Sequence, residues 1–103
     1  MEYVTMERTT KAQAVRAFEN LCKALGKQYS PATPAWTKRD DGSNKGTVGV
    51  WMLDYNGVYG GYVITEMDNE AGGESNPFGS NRMSAREFVQ AANMAARAVT
   101  MSK

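Results

Sequence analysis

Three carboxylates recur at every second position: Glu66, Asp68 and Glu70. Alternate side chains of an extended strand share one face. A strand continued to residue 70 would therefore set these three groups side by side. Such an oxygen set suits magnesium or calcium, and a carboxylate pair can also work as acid and base. The plainer alternative is a solvated strand end beside Arg82 or Lys38. The next stretch, residues 69–83, reads NEAGGESNPFGSNRM and leads into a helix start. A helix N-terminus offers unpaired N–H groups and a positive dipole end. Gly72, Gly73 and Gly79 would let a ligand approach the backbone, and Arg82 and Arg86 add positive charge. Together these suit a phosphate or carboxylate. The competing reading is structural: the glycines permit a tight loop, Ser84 caps its own helix, and Arg82 pairs with a nearby acid. The phosphate-loop pattern GxxxxGK[ST] does not occur.

What the chain lacks narrows the chemistry. It has no histidine, which removes the commonest general base and metal ligand. A Ser-His-Asp or Cys-His arrangement is impossible within one chain, and so is a Cys/His zinc site. The single cysteine, Cys22, excludes an internal disulfide. It falls in a helical apolar pattern, where a free thiol acts as a small hydrophobe, and it is compatible with a reducing compartment. Residues 40–46 superficially resemble a calcium loop, but the ordered ligands and the closing Glu are missing. The expectation is a protein that is not an enzyme and needs no cofactor. Its 12 basic and 11 acidic residues give a net charge of +1. That argues against an acidic nucleic-acid mimic and does not support a strongly basic binder. No apolar run reaches the ~18 residues of a membrane span. The N-terminal MEYVTMERTT has early acids and no apolar core, so it does not read as a secretory signal.

The elements follow from periodicity and caps. Thr10 to Gln13 fits a capping box. Val15, Phe18, Leu21, Cys22 and Leu25 then line one helical face, and Gly26 is a natural stop. Lys11, Arg16, Glu19, Lys23 and Lys27 decorate the other side. Pro31 and Pro34 forbid a regular helix in the loop-rich 27–46 stretch. There Ala35 to Lys38 reads as a short first strand, with Trp36 capping the core, and Asp40 to Gly46 reads as turn. The chain centres on Gly46 to Asp68. Strand Thr47–Tyr55 carries Val48, Val50, Met52 and Asp54 on one face and Gly49, Trp51, Leu53 and Tyr55 on the other. Turn residues Asn56 to Gly61 lead to a return strand, Tyr62–Asp68. Both faces of the outgoing strand are largely apolar. Either both are covered, or one presents its aromatics to a partner. Phe78 reads as a buried anchor. Ser84 to Glu87 is a second capping box, and Phe88, Ala91, Ala92, Ala95 and Val99 line the helix it starts. The expected architecture is a single α+β domain over residues 1–103, a two-layer αβββα arrangement with both helices on one face of a three-stranded antiparallel sheet. Residues 1–8 would form an arm or short edge strand, and residues 100–103 a fraying tail.

The run YGGYVITEMDNEAGGESNPFGSNRMSAREF, with VGVWMLDY and the Pro-Ala-Trp segment upstream, resembles a group of small uncharacterised bacteriophage and prophage proteins. In these a Tyr-Gly-Gly-Tyr strand leads to an Asn-Glu-x-Gly-Gly loop, a Pro-Phe-Gly turn and an Ala-Arg-Glu-Phe helix. The likeness covers about residues 34 to 90. It implies a phage origin and a setting in the host cytoplasm, and it carries no activity with it. Asn69, Glu70, Gly72, Gly73, Arg82 and Arg86 match the pattern and form the site to test. The element order is also similar to the double-stranded RNA-binding domain. That family opens its second helix with lysines, whereas Met83 to Glu87 lacks those charges, so the RNA mode does not carry over. The expected function is a phage accessory protein that binds a host or phage macromolecule, a protein before a nucleic acid, inhibition of a host defence system being one such role. Its surface would be the 69–82 loop with Arg82, Arg86 and an aromatic edge of Trp51, Tyr55 and Tyr59. The alternatives are a nucleic-acid-binding module using the first helix's cations, or a small-ligand or divalent-metal site at Glu66, Asp68 and Glu70. An exposed aromatic sheet face would also suit a homodimer.

Overall fold

The computed structural model describes residues 9–102. The expectations for residues 1–8 and for Lys103 lie outside that range. Both capping boxes form. Thr10 Oγ1 accepts from Gln13 N at 3.2 Å while Gln13 Oε1 accepts from Thr10 N at 2.7 Å. This starts helix α1, Lys11–Leu25, which ends at Gly26 with φ +69°. Ser84 and Glu87 make the same reciprocal pair, both bonds 3.2 Å. They start helix α2, Ala85–Met101. That helix runs through Thr100 and Met101, where the sequence suggested fraying. Ala14, Ala17, Phe18, Leu21 and Cys22 of α1 share one core with Phe88 and Ala92 of α2. Ala91, expected on the buried side of α2, is exposed.

Five short strands lie between the helices. Strands β1 (Trp36–Lys38) and β2 (Asn44–Gly46) pair as a small antiparallel hairpin. Strands β3 (Trp51–Asn56), β4 (Gly61–Met67) and β5 (Glu74–Ser75) form a second antiparallel sheet in that order. The fold is α+β, with both helices packed beside a three-stranded antiparallel sheet. The third strand comes from the loop after β4, however, and the Trp36 strand joins β2 instead. Two local causes explain this. Thr47 to Val50 is a turn rather than strand, closed by Val50 N donating to Thr47 O at 3.3 Å, with Gly49 at φ +88°. The 40–46 turn is also tighter than it reads. Asp41 accepts from Ser43 N at 2.9 Å and Ser43 Oγ at 2.6 Å, which frees residues 44–46 to pair.

Both faces of the sheet are covered. Trp51, Tyr62 and Ile64 enter the core with the helices, and Leu53 packs against its edge. On the opposite face Val50, Met67 and Ala35 make a second cluster, with Met52 beside it. Strand β4 is central. Beyond β5, Asn76 Nδ2 donates to Ile64 O at 3.2 Å. Tyr62 and Met83 exchange backbone bonds of 2.7 and 2.8 Å. This close pairing needs a glycine beside it. Gly61 has φ +118°, and a Cβ there would lie 2.2 Å from Met83 O.

Gly61→Ala is therefore expected to lower stability by about 2–4 kcal/mol, because left-handed strain and a backbone clash add. Gly60 has φ +96° with open space around it, so Gly60→Ala carries the strain alone, about 1–2 kcal/mol. Urea denaturation of both variants checks the order.

Candidate partner-binding site

The loop from Asp68 to Gly73 closes on itself. Asp68 N donates to Gly73 O at 2.7 Å and Gly72 N to Asn69 O at 3.2 Å. Asn69 Oδ1 accepts from Gly73 N at 2.9 Å. A Cβ on Gly73 would strike the Asn69 side chain at 2.3 Å, and one on Gly72 would strike the Trp36 ring at 2.5 Å. Asn69, Gly72 and Gly73 thus approach other parts of this chain. Trp36, expected to cap the core, lies half-exposed over Gly72. Glu70 forms ion pairs with Arg39 at 3.5 Å and Lys45 at 3.2 Å, and its backbone O accepts from Gly46 N at 2.8 Å. Its job is to fasten the β1–β2 hairpin.

The three carboxylates do not converge. Glu66 accepts the indole N–H of Trp51 at 2.5 Å. Asp68 accepts from Ser75 Oγ at 2.8 Å, and Glu70 reaches the hairpin. Strand β4 ends at Met67, so the alternation that would align them stops too early. Among the described residues, no three His, Cys, Asp or Glu side chains gather to hold a metal ion.

Trp51 departs from the expected aromatic edge: it is 4% exposed. The helix layer covers its face of the sheet, and Phe78 meets the ring edge-on at 5.5 Å between centroids. Phe78 itself is half-exposed rather than buried. Arg82 is engaged internally. It pairs with Asp54 at 2.5 Å and donates to Gly61 O at 2.9 Å, which fits the structural reading of that side chain. Arg86 is exposed and makes no ion pair among the described residues. Cys22 is buried, and burial first, the Glu19 carboxylate second, pushes its thiol up to about 12.

The β3–β4 turn exposes a run of apolar surface. Tyr55 is 55% exposed, Val58 88% and Tyr59 74%. Tyr55 leans on Tyr62, ring centroids 4.7 Å apart, and burial together with Tyr55 raises the Tyr62 hydroxyl pKa. The turn is ordered: Asn56 Oδ1 accepts from Val58 N at 3.0 Å and Tyr59 N at 3.3 Å. The base of this turn adjoins the start of α2, since Gly61 sits against Met83 and Ser84. The start of α2 therefore lies beside the base of the turn that carries Val58 and Tyr59.

No known protein family, curated protein or solved structure matches the chain. The site therefore rests on this geometry. Val58 was missed by sequence reasoning, although a β-branched residue inside a glycine-rich turn is itself a signal, since turns favour Gly, Asn and Asp. Asp54 was missed as the partner of Arg82.

Two outcomes follow. Arg82→Ala should cost about 1–3 kcal/mol, because the partly buried guanidinium's bonds to Asp54 and to the Gly61 carbonyl are lost, while Arg86→Ala stays within about 0.5 kcal/mol; thermal denaturation separates them. Cys22 should resist iodoacetamide at neutral pH in the native protein and react once denaturant unfolds it, because little thiolate exists below its raised pKa.

Proposed function

We propose that this is a small phage-encoded accessory protein that acts by binding a host or phage protein in the host cytoplasm, with inhibition of a host defence system as the role it would serve. The phage setting rests on the resemblance of residues 34–90. The binding mode rests on one observation: Tyr55, Val58 and Tyr59 are exposed together on an ordered turn. Exposed apolar groups in one patch mark interaction sites, and Tyr and Arg are enriched among the residues that dominate interface energies. Arg86 at the adjoining helix start adds an exposed charge with no ion pair among the described residues. The divergence of Glu66, Asp68 and Glu70 and the burial of Cys22 favour binding over catalysis. No helix among the described residues is long and apolar enough to cross a membrane. The nucleic-acid alternative has less support, because Lys27 of the basic set already sits over the Trp51 ring, 5.7 Å from its centroid.

The test is capture from bacterial host lysate by tagged wild type and by Val58→Asp/Tyr59→Asp, with and without nuclease. The expected result is a protein that survives nuclease treatment and falls at least about tenfold with the double variant, whose melting temperature stays unchanged. Equal capture by the folded variant, or material lost on nuclease treatment, overturns the reading.

A further inference from the structure

Helix α2 carries an apolar line on its exposed side. From Phe88 to Ser102 it holds one charged residue, Arg97. Ala91, Met94, Ala98 and Met101 are all exposed among the described residues, the two methionines 74% and 79%. Their steps of three, four and three residues set them in one line along the helix. The line is offset from the face that buries Phe88 and Ala92. A helix surface in water normally carries charge, as α1 does with exposed Lys11, Arg16 and Lys23. Helix α1 lies on the other flank of α2. Its Gln13, Arg16 and Asn20 border Val89 and Asn93. These stand two residues from Ala91 in either direction, and so roughly opposite it around the helix. The chain therefore enters α1 on the side away from the apolar line.

We propose that this line is a self-association surface, on which α2 of a second copy packs antiparallel across a two-fold axis at the level of Ala96. About that axis Met94 faces Ala98 of the second copy, and Met101 faces its Ala91. Every layer of the seam then sets a large side chain against a small one, the arrangement that lets facing positions interdigitate. A two-fold interface must be complementary to itself, and this order of alanine and methionine is. The match favours a second copy over an unrelated protein. A lipid surface fits poorly, because helices that lie on membranes carry several Lys and Arg along their polar face. The same axis brings Arg97 beside Arg97 of the second copy, at a position flanking the seam. That repulsion opposes association. Four apolar residues per copy are also far short of the about 20–30 residues a stable interface uses, so the dimer is weak. The inference does not rest on the turn at Val58 and Tyr59, although a dimer would carry two such turns.

The test is sedimentation equilibrium of the full-length protein up to millimolar concentration, where a concentration-dependent dimer is expected. Met94→Asp should weaken it at least about tenfold while circular dichroism shows the helices intact. Met94→Ala and Ala98→Met should each weaken the dimer, the first by lost contact and the second by crowding. The combined Met94→Ala/Ala98→Met should recover association, because its layers again pair large with small. A one-to-one mixture of wild type and Arg97→Glu should associate about threefold more tightly than either alone. The proposal is overturned by a monomer throughout, by a combined swap weaker than both single changes, or by a dimer lost instead in Val58→Asp/Tyr59→Asp. Nuclear Overhauser contacts that place residues 1–8 over Met94 and Met101 in a monomer overturn it as well.

Discussion

The fold is tied together at Trp51. Its backbone bonds to residues 28 and 30 and fixes the exit of α1 against the sheet. Its indole N–H donates to Glu66 across the β3–β4 pair. Its ring lies beneath Lys27 and against Phe78. Three segments far apart in sequence thereby meet at this one residue. A buried indole needs a partner for its N–H, which explains a carboxylate at position 66 on the covered face of the sheet. Truncating such a side chain typically costs about 3–5 kcal/mol, a large share of a small domain's stability.

That constraint changes the meaning of the glycine-rich loop. Residues 68–83 are used to brace β4 and to hold the β1–β2 hairpin. β5 lies beside Glu66 and Met67, Asn76 bonds to Ile64 O, and Met83 pairs with Tyr62. Glu70 ties down Arg39 and Lys45. The side chains of Asp68, Asn69, Glu70, Ser75, Asn76 and Arg82 all bond within the chain itself. Among the described residues, the turn at Val58 and Tyr59 stays exposed and is not used in this way.

The two helices were legible because their signals are local. Thr10 with Gln13, Ser84 with Glu87, and Gly26 each specify an end within four residues. Sheet membership was not. Glu74–Ser75 is only two residues long and is defined by its pairing with β4, which no local pattern encodes. Trp51 and Tyr59 show the limit for the site. Both are aromatics in or beside strands, and composition alone does not tell which is buried. Trp51 faces the helices, whereas Tyr59 lies on a turn that projects from them. Likewise Arg82 and Arg86 look equivalent in sequence, and only the tertiary position of Asp54 separates them.

The most direct test is residue-resolved amide hydrogen exchange on the free protein, read along β3. With the Trp51 backbone fastened to residues 28 and 30, and no partner beyond it for Leu53 and Tyr55 among the described residues, Trp51, Met52 and Asp54 should exchange slowly and Leu53 and Tyr55 quickly. Uniform protection from residue 51 to 55 would contradict the account, because it would mean the edge is already occupied. Fast exchange at Trp51 itself would remove the junction on which the rest depends.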